Sequence, residues 1–597
     1  MTLTERGRVT AIASHQLPEA AFCELADGGG GPATMRQLGE AQLSKHLMLL
    51  HAIAGSATGS GAGPAAFRAG YEQLAQIQAT APAAAGWLLG LPHLGAWIHD
   101  TLIRLDQDTP ADFGHFAGLV AAAAIRAGLP VDLHVPVRDG QLRLPGLGSL
   151  LVAGSMAGAE QPMIRLRSDG EVVTVGGLAV AAGRLVPDDG TQDPAPGWCG
   201  TPAVRAADGG LAWTVLLETG DPYLDRYTLP MRTTMPPEEL ADWRQRIRAA
   251  WQVVVGWHRR AAEPLAEVIS VIVPLTPQSD TDLVSATTPA AYGAFATSWP
   301  PDPVTLAETL VHEFQHVKLC GLLDLVPLVG SGDQRVYAPW RQDPRPARGL
   351  LQGVYAHLGI VRFWQAQQHA ETDPDGLLRA QVLFARWRPA IEQAVATLGQ
   401  AGSLTPAGVR FADRLQTQGQ RLASVPVPPE AERIAAEAAL DHRLTWELRH
   451  VAVDPADAAR LAASYRRGDT GPGQARTWVG QDVRKVDASL RSRLLNLRYL
   501  EPARYRELCA DGVLPLGAPD RLLLAGRGAD AVAAYRAQIA GSADPEPAAW
   551  IGLALALHQL PPSPLQAAVA TRLVLMAEVH VRLAEGSDPL DLVSWFT

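Results

Sequence analysis

The pentapeptide His312-Glu313-Phe314-Gln315-His316 is the segment of this chain whose residue types and spacing best suit chemistry. On a helix, residues four apart project from one face. Both imidazoles can then grip one divalent ion, while the glutamate between them moves a proton or orients a ligand. The helix itself is well signalled: Pro303 stands at its start, and Leu306, Leu310, Val311, Phe314 and Val317 give it an apolar side. The competing reading of the same residues is a pair of partly buried helix histidines with no metal.

A catalytic metal needs a third protein ligand. Zinc peptidases of the thermolysin kind take it from a glutamate on a following helix, and use the motif glutamate to activate water. Here the next glutamate after Glu313 is Glu371, too far along for that spacing. The longer HExxHxxGxxH pattern fails as well, because Leu319 and Leu322 stand where Gly and His are required. Asp324 lies eight residues beyond His316, about 12 Å along an unbroken helix. That leaves His357, which shares the face that Val354, Leu358 and Val361 mark as buried on a second helix. A hydrogen-bonded core histidine is the rival reading for His357. His369, beside Gln367 and Gln368, reads as a solvated helix end.

The elements that must position these residues follow from periodicity. Segment 1–129 reads as helical, with Leu38, Leu43, Leu47 and Leu50 near helical spacing and Gly- and Pro-rich joints between runs. Segment 130–230 changes to short, partly alternating runs bounded by Gly, Pro and Asp, which predicts antiparallel strands. Segment 231–375 reads as the metal-binding core. It comprises one helix over 236–262, a buried strand over 268–275, a candidate edge strand over 291–297, the motif helix over 303–325, and a second helix from 349 to 370. Segment 376–597 is helical throughout by pattern, and residues 529–557 resemble one tetratricopeptide unit. The expected class is α+β, predominantly helical, with a small antiparallel β region and a helical, tetratricopeptide-like C-terminal region.

Bulk properties narrow the function. A length of 597 residues exceeds one compact core. The net charge of −10 argues against nucleic acid and anionic membrane as partners, since both want clustered cations. Four scattered cysteines without a CxxC pair support neither a disulfide framework nor a structural zinc cluster. The first eighteen residues lack the apolar stretch of a signal peptide, so the expected location is cytoplasmic. No GxSxG elbow, Walker A loop or dinucleotide fingerprint is present.

Three blocks carry a resemblance: HQLPEAAFCELADGGG at 15–30, LVHEFQHVKLCGLLDL at 310–325, and APWRQDPRPARGLLQGVYAHLGIVRFW at 338–364. They resemble the stand-alone HExxH-type peptide-modification proteins of actinobacterial peptide natural-product clusters, which are iron(II)- and 2-oxoglutarate-dependent peptide β-hydroxylases. The resemblance covers most of the chain to about residue 370. It implies Fe(II) held by His312, His316 and His357, an all-histidine version of the two-His-one-carboxylate triad, with 2-oxoglutarate and O2 taking the remaining positions. It also implies an arginine on the distal carboxylate of 2-oxoglutarate, Arg345 first and then Arg341 and Arg348. Glu313, a general base in a hydrolase, becomes an orienting residue in an oxygenase. The implied substrate is a residue of a ribosomally synthesised precursor peptide.

Two rivals remain at this point. One is a zinc-dependent HExxH peptidase, since a three-nitrogen site accepts zinc as readily as Fe(II). The other is a non-catalytic peptide-binding maturation scaffold that keeps a structural metal.

Overall fold

The computed structural model describes residues 15–57, 59–152, 162–187, 196–225, 229–276, 283–332, 334–486, 489–510, 516–583 and 586–597. The segment 1–14, on which most of the signal-peptide reading rests, lies outside the described residues. The protein is α+β and mostly helical. It divides into two compact units, Met1–Pro327 and Leu328–Thr597. The boundary falls inside the stretch 231–375 that patterning treats as one core, so the motif helix and the second histidine helix belong to different units.

In the first unit the helices are α1 (Glu19–Ala26), α2 (Pro32–Ser56), α3 (Ala62–Thr80), α4 (Pro82–Gly90), α5 (Pro92–Asp106), α6 (His115–Arg126), α7 (Pro237–Trp257), α8 (Arg259–Val268) and α9 (Pro303–Leu325). The expected single helix over 236–262 is two. His258 leaves helical geometry at φ −128° between the two, and Pro264 lies inside the second of them. The core is aromatic where α3, α5 and α6 meet. Trp97 and Phe116 stack at 5.4 Å, and Phe67 packs 5.0 Å from Phe116.

The β region is larger than expected. Strands β1 (Val131–Arg138), β2 (Gln141–Leu144), β3 (Gly148–Leu151), β4 (Met163–Ser168), β5 (Val172–Val175), β6 (Leu178–Ala181) and β7 (Trp198–Gly200) form one sheet, in the order β6-β5-β4-β1-β2-β3-β7. All its pairs are antiparallel. Strands β8 (Ala203–Asp208), β9 (Leu211–Leu217), β10 (Val271–Pro274), β11 (Ser285–Ala286) and β12 (Ala294–Thr297) form a second sheet, in the order β11-β12-β10-β9-β8. This sheet is mixed: β10 runs parallel to both β9 and β12. The β9-to-β10 connection passes through α7 and α8, as a parallel pairing requires. The segment 291–297, expected at an edge, is interior. All four residues of β12 are buried, so both of its faces are covered, and the edge is β11.

The second unit begins with a two-stranded ladder, in which Arg335 faces Pro346 and Val336 faces Arg345. It continues into α10 (Ala347–Ala370) and α11 (Pro374–Gln400), which pack along each other, and further helices to the end. Within this helical region a short antiparallel ladder pairs Val451–Val453 with Thr477–Val479, which patterning had read as helix. The pair Gly528–Ala540 and Pro547–His558 forms a helical hairpin closed on Gly552, where a Cβ would collide with the ring of Tyr535. No helix of the described residues is long and apolar enough to cross a membrane.

Candidate metal site

Helix α9 starts where the sequence signals it. Asp302 accepts from Thr305 N–H at 2.8 Å and from Thr305 Oγ1 at 2.6 Å, and Pro303 occupies the first helical position. The helix is unbroken to Leu325, so His312 and His316 do share a face. Their Nε2 atoms stand 3.2 Å apart. Two nitrogens bonded to one metal at 2.0–2.1 Å and separated by this distance subtend about 100° at the ion, close to a tetrahedral or octahedral angle. Burial holds His312 well down, to about 4; the charge on Glu313 opposes the shift and His316 adds to it. Near neutral pH His312 is thus the uncharged imidazole that a metal requires.

Glu313 is completely buried. Its Oε1 accepts from the Ser285 hydroxyl at 2.5 Å and its Oε2 from the Thr287 hydroxyl at 2.6 Å. Ser285 lies on the edge strand β11 and Thr287 just beyond it. Residues two apart on an extended chain face the same side, so one strand end reaches both carboxylate oxygens. His312 Nε2 is 3.7 Å from Glu313 Oε1, outside hydrogen-bonding distance. Sequence reasoning missed this clamp, because Ser285 and Thr287 precede Glu313 by 28 and 26 residues.

The face of α9 away from the histidines is anchored by the first resemblance block. Lys318, nearly fully buried, donates to Gly28 O at 3.1 Å and Gly29 O at 2.7 Å, and Gln315 Nε2 reaches Gly28 O at 3.3 Å. Gly30 sits at φ +124°, where any side chain is strained. Lys318, the one lysine of α9, was the available signal for this contact. Asp324 belongs to the same structural face, bound by Gln42 at 2.8 Å and Lys45 at 2.8 Å. Phe295 is core, and Trp299 packs on Trp243 at 5.0 Å.

In the second unit His357 is 6% exposed on α10. Its Nδ1 lies 2.9 Å from Gly353 O. A carbonyl only accepts, so Nδ1 carries a proton, and in the neutral ring the lone pair is then on Nε2. Ligating histidines are commonly prepared in this way, by donating the other N–H to a backbone carbonyl. The indole of Trp340 stacks on the His357 ring at 4.1 Å and 18°, and Trp387 meets it edge-on at 5.1 Å. Tyr355 is core against Phe411, and His369 is exposed.

Arg345 Nη1 donates to Asp343 Oδ2 at 3.0 Å, and Arg341 Nε to Asp343 Oδ1 at 2.9 Å. Burial opposes the charge on Asp343, but the two guanidinium groups outweigh it and hold the carboxyl below its ordinary range. Both arginines are thus paired with a carboxylate in the arrangement described here; Arg348 is exposed at the first turn of α10. Among the described residues, no group of three or more His, Cys, Asp or Glu side chains is closed around a common point. The described geometry brings His312 and His316 together as a pair on one face of α9. His357 and the three arginines are placed within the second unit.

No protein-family model matches the chain, and no curated protein matches it.

Proposed function

We propose that this chain is a non-haem Fe(II), 2-oxoglutarate-dependent hydroxylase that modifies Cβ of a residue in a ribosomally synthesised precursor peptide. His312 and His316 would be two ligands and His357 the third. Bound to them, Fe(II) with 2-oxoglutarate and O2 supplies the oxidising power for C–H hydroxylation, with succinate and CO2 as co-products. The chain's own work is to present three imidazoles, bind the keto acid and exclude bulk water. Arg345 would take the distal carboxylate, since its planar fork keeps donors beyond the one given to Asp343. The helical, tetratricopeptide-like C-terminal region would hold the peptide outside the reacting residue.

The observation that carries this reading is the state of Glu313 beside a metal-ready histidine pair. A zinc peptidase needs that carboxylate to accept a proton from metal-bound water. Here both oxygens already accept from hydroxyls, which suits an orienting group better than a base. The blocks that resemble peptide β-hydroxylases support the same choice.

The test is anaerobic reconstitution with Fe(II) followed by a 2-oxoglutarate titration in the visible range. The expected result is a weak charge-transfer band that saturates with the keto acid, and succinate release once O2 is admitted. Cleavage of peptides with Zn(II), and no band with Fe(II), would replace this reading with the peptidase. Peptide binding that survives loss of the metal, with no turnover under either condition, would replace it with the scaffold.

A further inference from the structure

The loop between the paired strand ends at Val336 and Arg345 is fastened far more firmly than a surface connection requires. Its base is closed by the two-residue ladder. Inside it, Tyr337 shares a hydrogen bond with His442 Nδ1 at 2.9 Å and packs on Trp446 at 5.1 Å. Arg341 N–H turns back to Ala338 O at 3.0 Å, and Gln342 O receives His450 Nε2 at 2.7 Å. These contacts fix one half-buried side chain against α10, the indole of Trp340.

That indole covers the His357 ring almost in parallel, and the helix has made room for it. Gly353 lies one turn before His357, and a Cβ there would overlap Trp340, 2.6 Å from Cε2 and 2.7 Å from Cζ2. The same Gly353 supplies the carbonyl that sets the tautomer of His357. Trp387 closes the ring from a second direction, itself held beneath the guanidinium of Arg386 at 4.6 Å. An imidazole has two ring torsions, and stacking on one side with an edge contact on another removes the freedom of both. Tight aromatic packing alone would not require the i−4 carbonyl and the missing Cβ at one residue.

We propose that Trp340 is a positioning residue for His357, locking the imidazole with its lone pair on Nε2 before any metal arrives, and that Gly353 is the residue that permits it. Its consequence for the metal rests on the reading of His357 as a ligand. The lock itself does not, so the two are separable. It also gives the Trp-Arg-Gln-Asp-Pro-Arg loop two tasks, since the segment that clamps the histidine also presents Arg341 and Arg345.

The test uses the full chain, metal-free, with histidine labelled at both ring nitrogens, and His357→Gln to assign its signals. In the wild type the 15N shifts of His357 are expected to report a protonated Nδ1 and an unprotonated Nε2 in the neutral ring at pH 8. Trp340→Ala is expected to average the tautomers, and to weaken Fe(II) binding by about 10–100-fold, the usual cost of losing a ligand-orienting partner. Trp340→Phe, which keeps a stacked ring and guards against a folding defect, is expected to restore most of both. Gly353→Ala is expected to act like Trp340→Ala, by pushing the indole away. Unchanged 15N shifts in a folded Trp340→Ala protein would overturn the proposal. If the shifts respond as expected but His357→Gln leaves Fe(II) affinity at the wild-type level, positioning stands and the ligand assignment falls.

Discussion

Helices α9 and α10 carry the histidines of the proposed centre, and they orient them by different physics. On α9 the helix does most of the work. A spacing of four residues brings His312 and His316 to 3.2 Å, burial keeps His312 neutral, and a polar clamp from β11 immobilises the glutamate between them. On α10 a single histidine has no helical partner to define its direction. Its orientation comes from its own backbone carbonyl and from two indoles, one stacked and one edge-on. A paired motif is thus specified by local sequence, whereas a lone ligand needs tertiary neighbours to fix its torsions.

The largest expected effect breaks the paired half of this comparison. His312→Ala or His316→Ala should abolish stoichiometric Fe(II) or Co(II) binding, a loss of at least about 100-fold in affinity, checked by calorimetry under argon. Retention of wild-type affinity in either variant would return the motif to a pair of ordinary helix histidines.

The next test asks what the clamp on Glu313 does. Glu313→Ala leaves the half-buried Ser285 and Thr287 hydroxyls without their acceptor, and should lower unfolding stability by about 1–3 kcal/mol. Glu313→Gln keeps one acceptor and most of the shape, and should cost less. On the oxygenase reading Glu313→Gln also retains measurable 2-oxoglutarate turnover, whereas a peptidase would lose nearly all activity.

How much of this was legible beforehand depends on the range of the contact. The motif helix, its start at Pro303 and the exclusion of Asp324 followed from spacing along one element, and α9 has that form. The expected strands of 130–230 are largely present, because alternation with Gly and Pro breaks is also local. The clamp from Ser285 and Thr287, and the anchoring of Lys318 on Gly28 and Gly29, link positions tens to hundreds of residues apart. No periodicity records such contacts. The interior place of β12 was hidden because Ala-Phe-Ala-Thr looks the same at an edge.

A smaller effect separates the surroundings of the two helices by pH. His442, which holds the Trp340 loop through Tyr337, is kept down at about 4 by burial and then by the nearby Arg386 charge. Its unfolded value is about 6.5, so the unfolded chain takes up the proton first as pH falls. The stability contribution is complete above 6.5 and is lost progressively between 6.5 and 4. About 1–1.5 kcal/mol should disappear between pH 7 and 5.5 from this residue, checked by denaturant titration of the metal-free protein. His442→Gln should shrink that drop, and an undiminished drop would assign it elsewhere.

The smallest effect concerns the arginines. Arg345→Ala should raise the 2-oxoglutarate dissociation constant about tenfold, the scale of one charge-assisted pair, with Arg341→Ala weaker. The reverse order would move the keto-acid contact to Arg341.

X-ray absorption on the metal-loaded full-length protein addresses the central claim most directly, because the fine structure counts imidazoles around the ion. Three histidine nitrogens in the wild type, falling to two in His357→Ala, is the expected result. Two imidazoles with a carboxylate, unchanged by His357→Ala, would contradict the three-histidine centre and return the chain to the peptidase class.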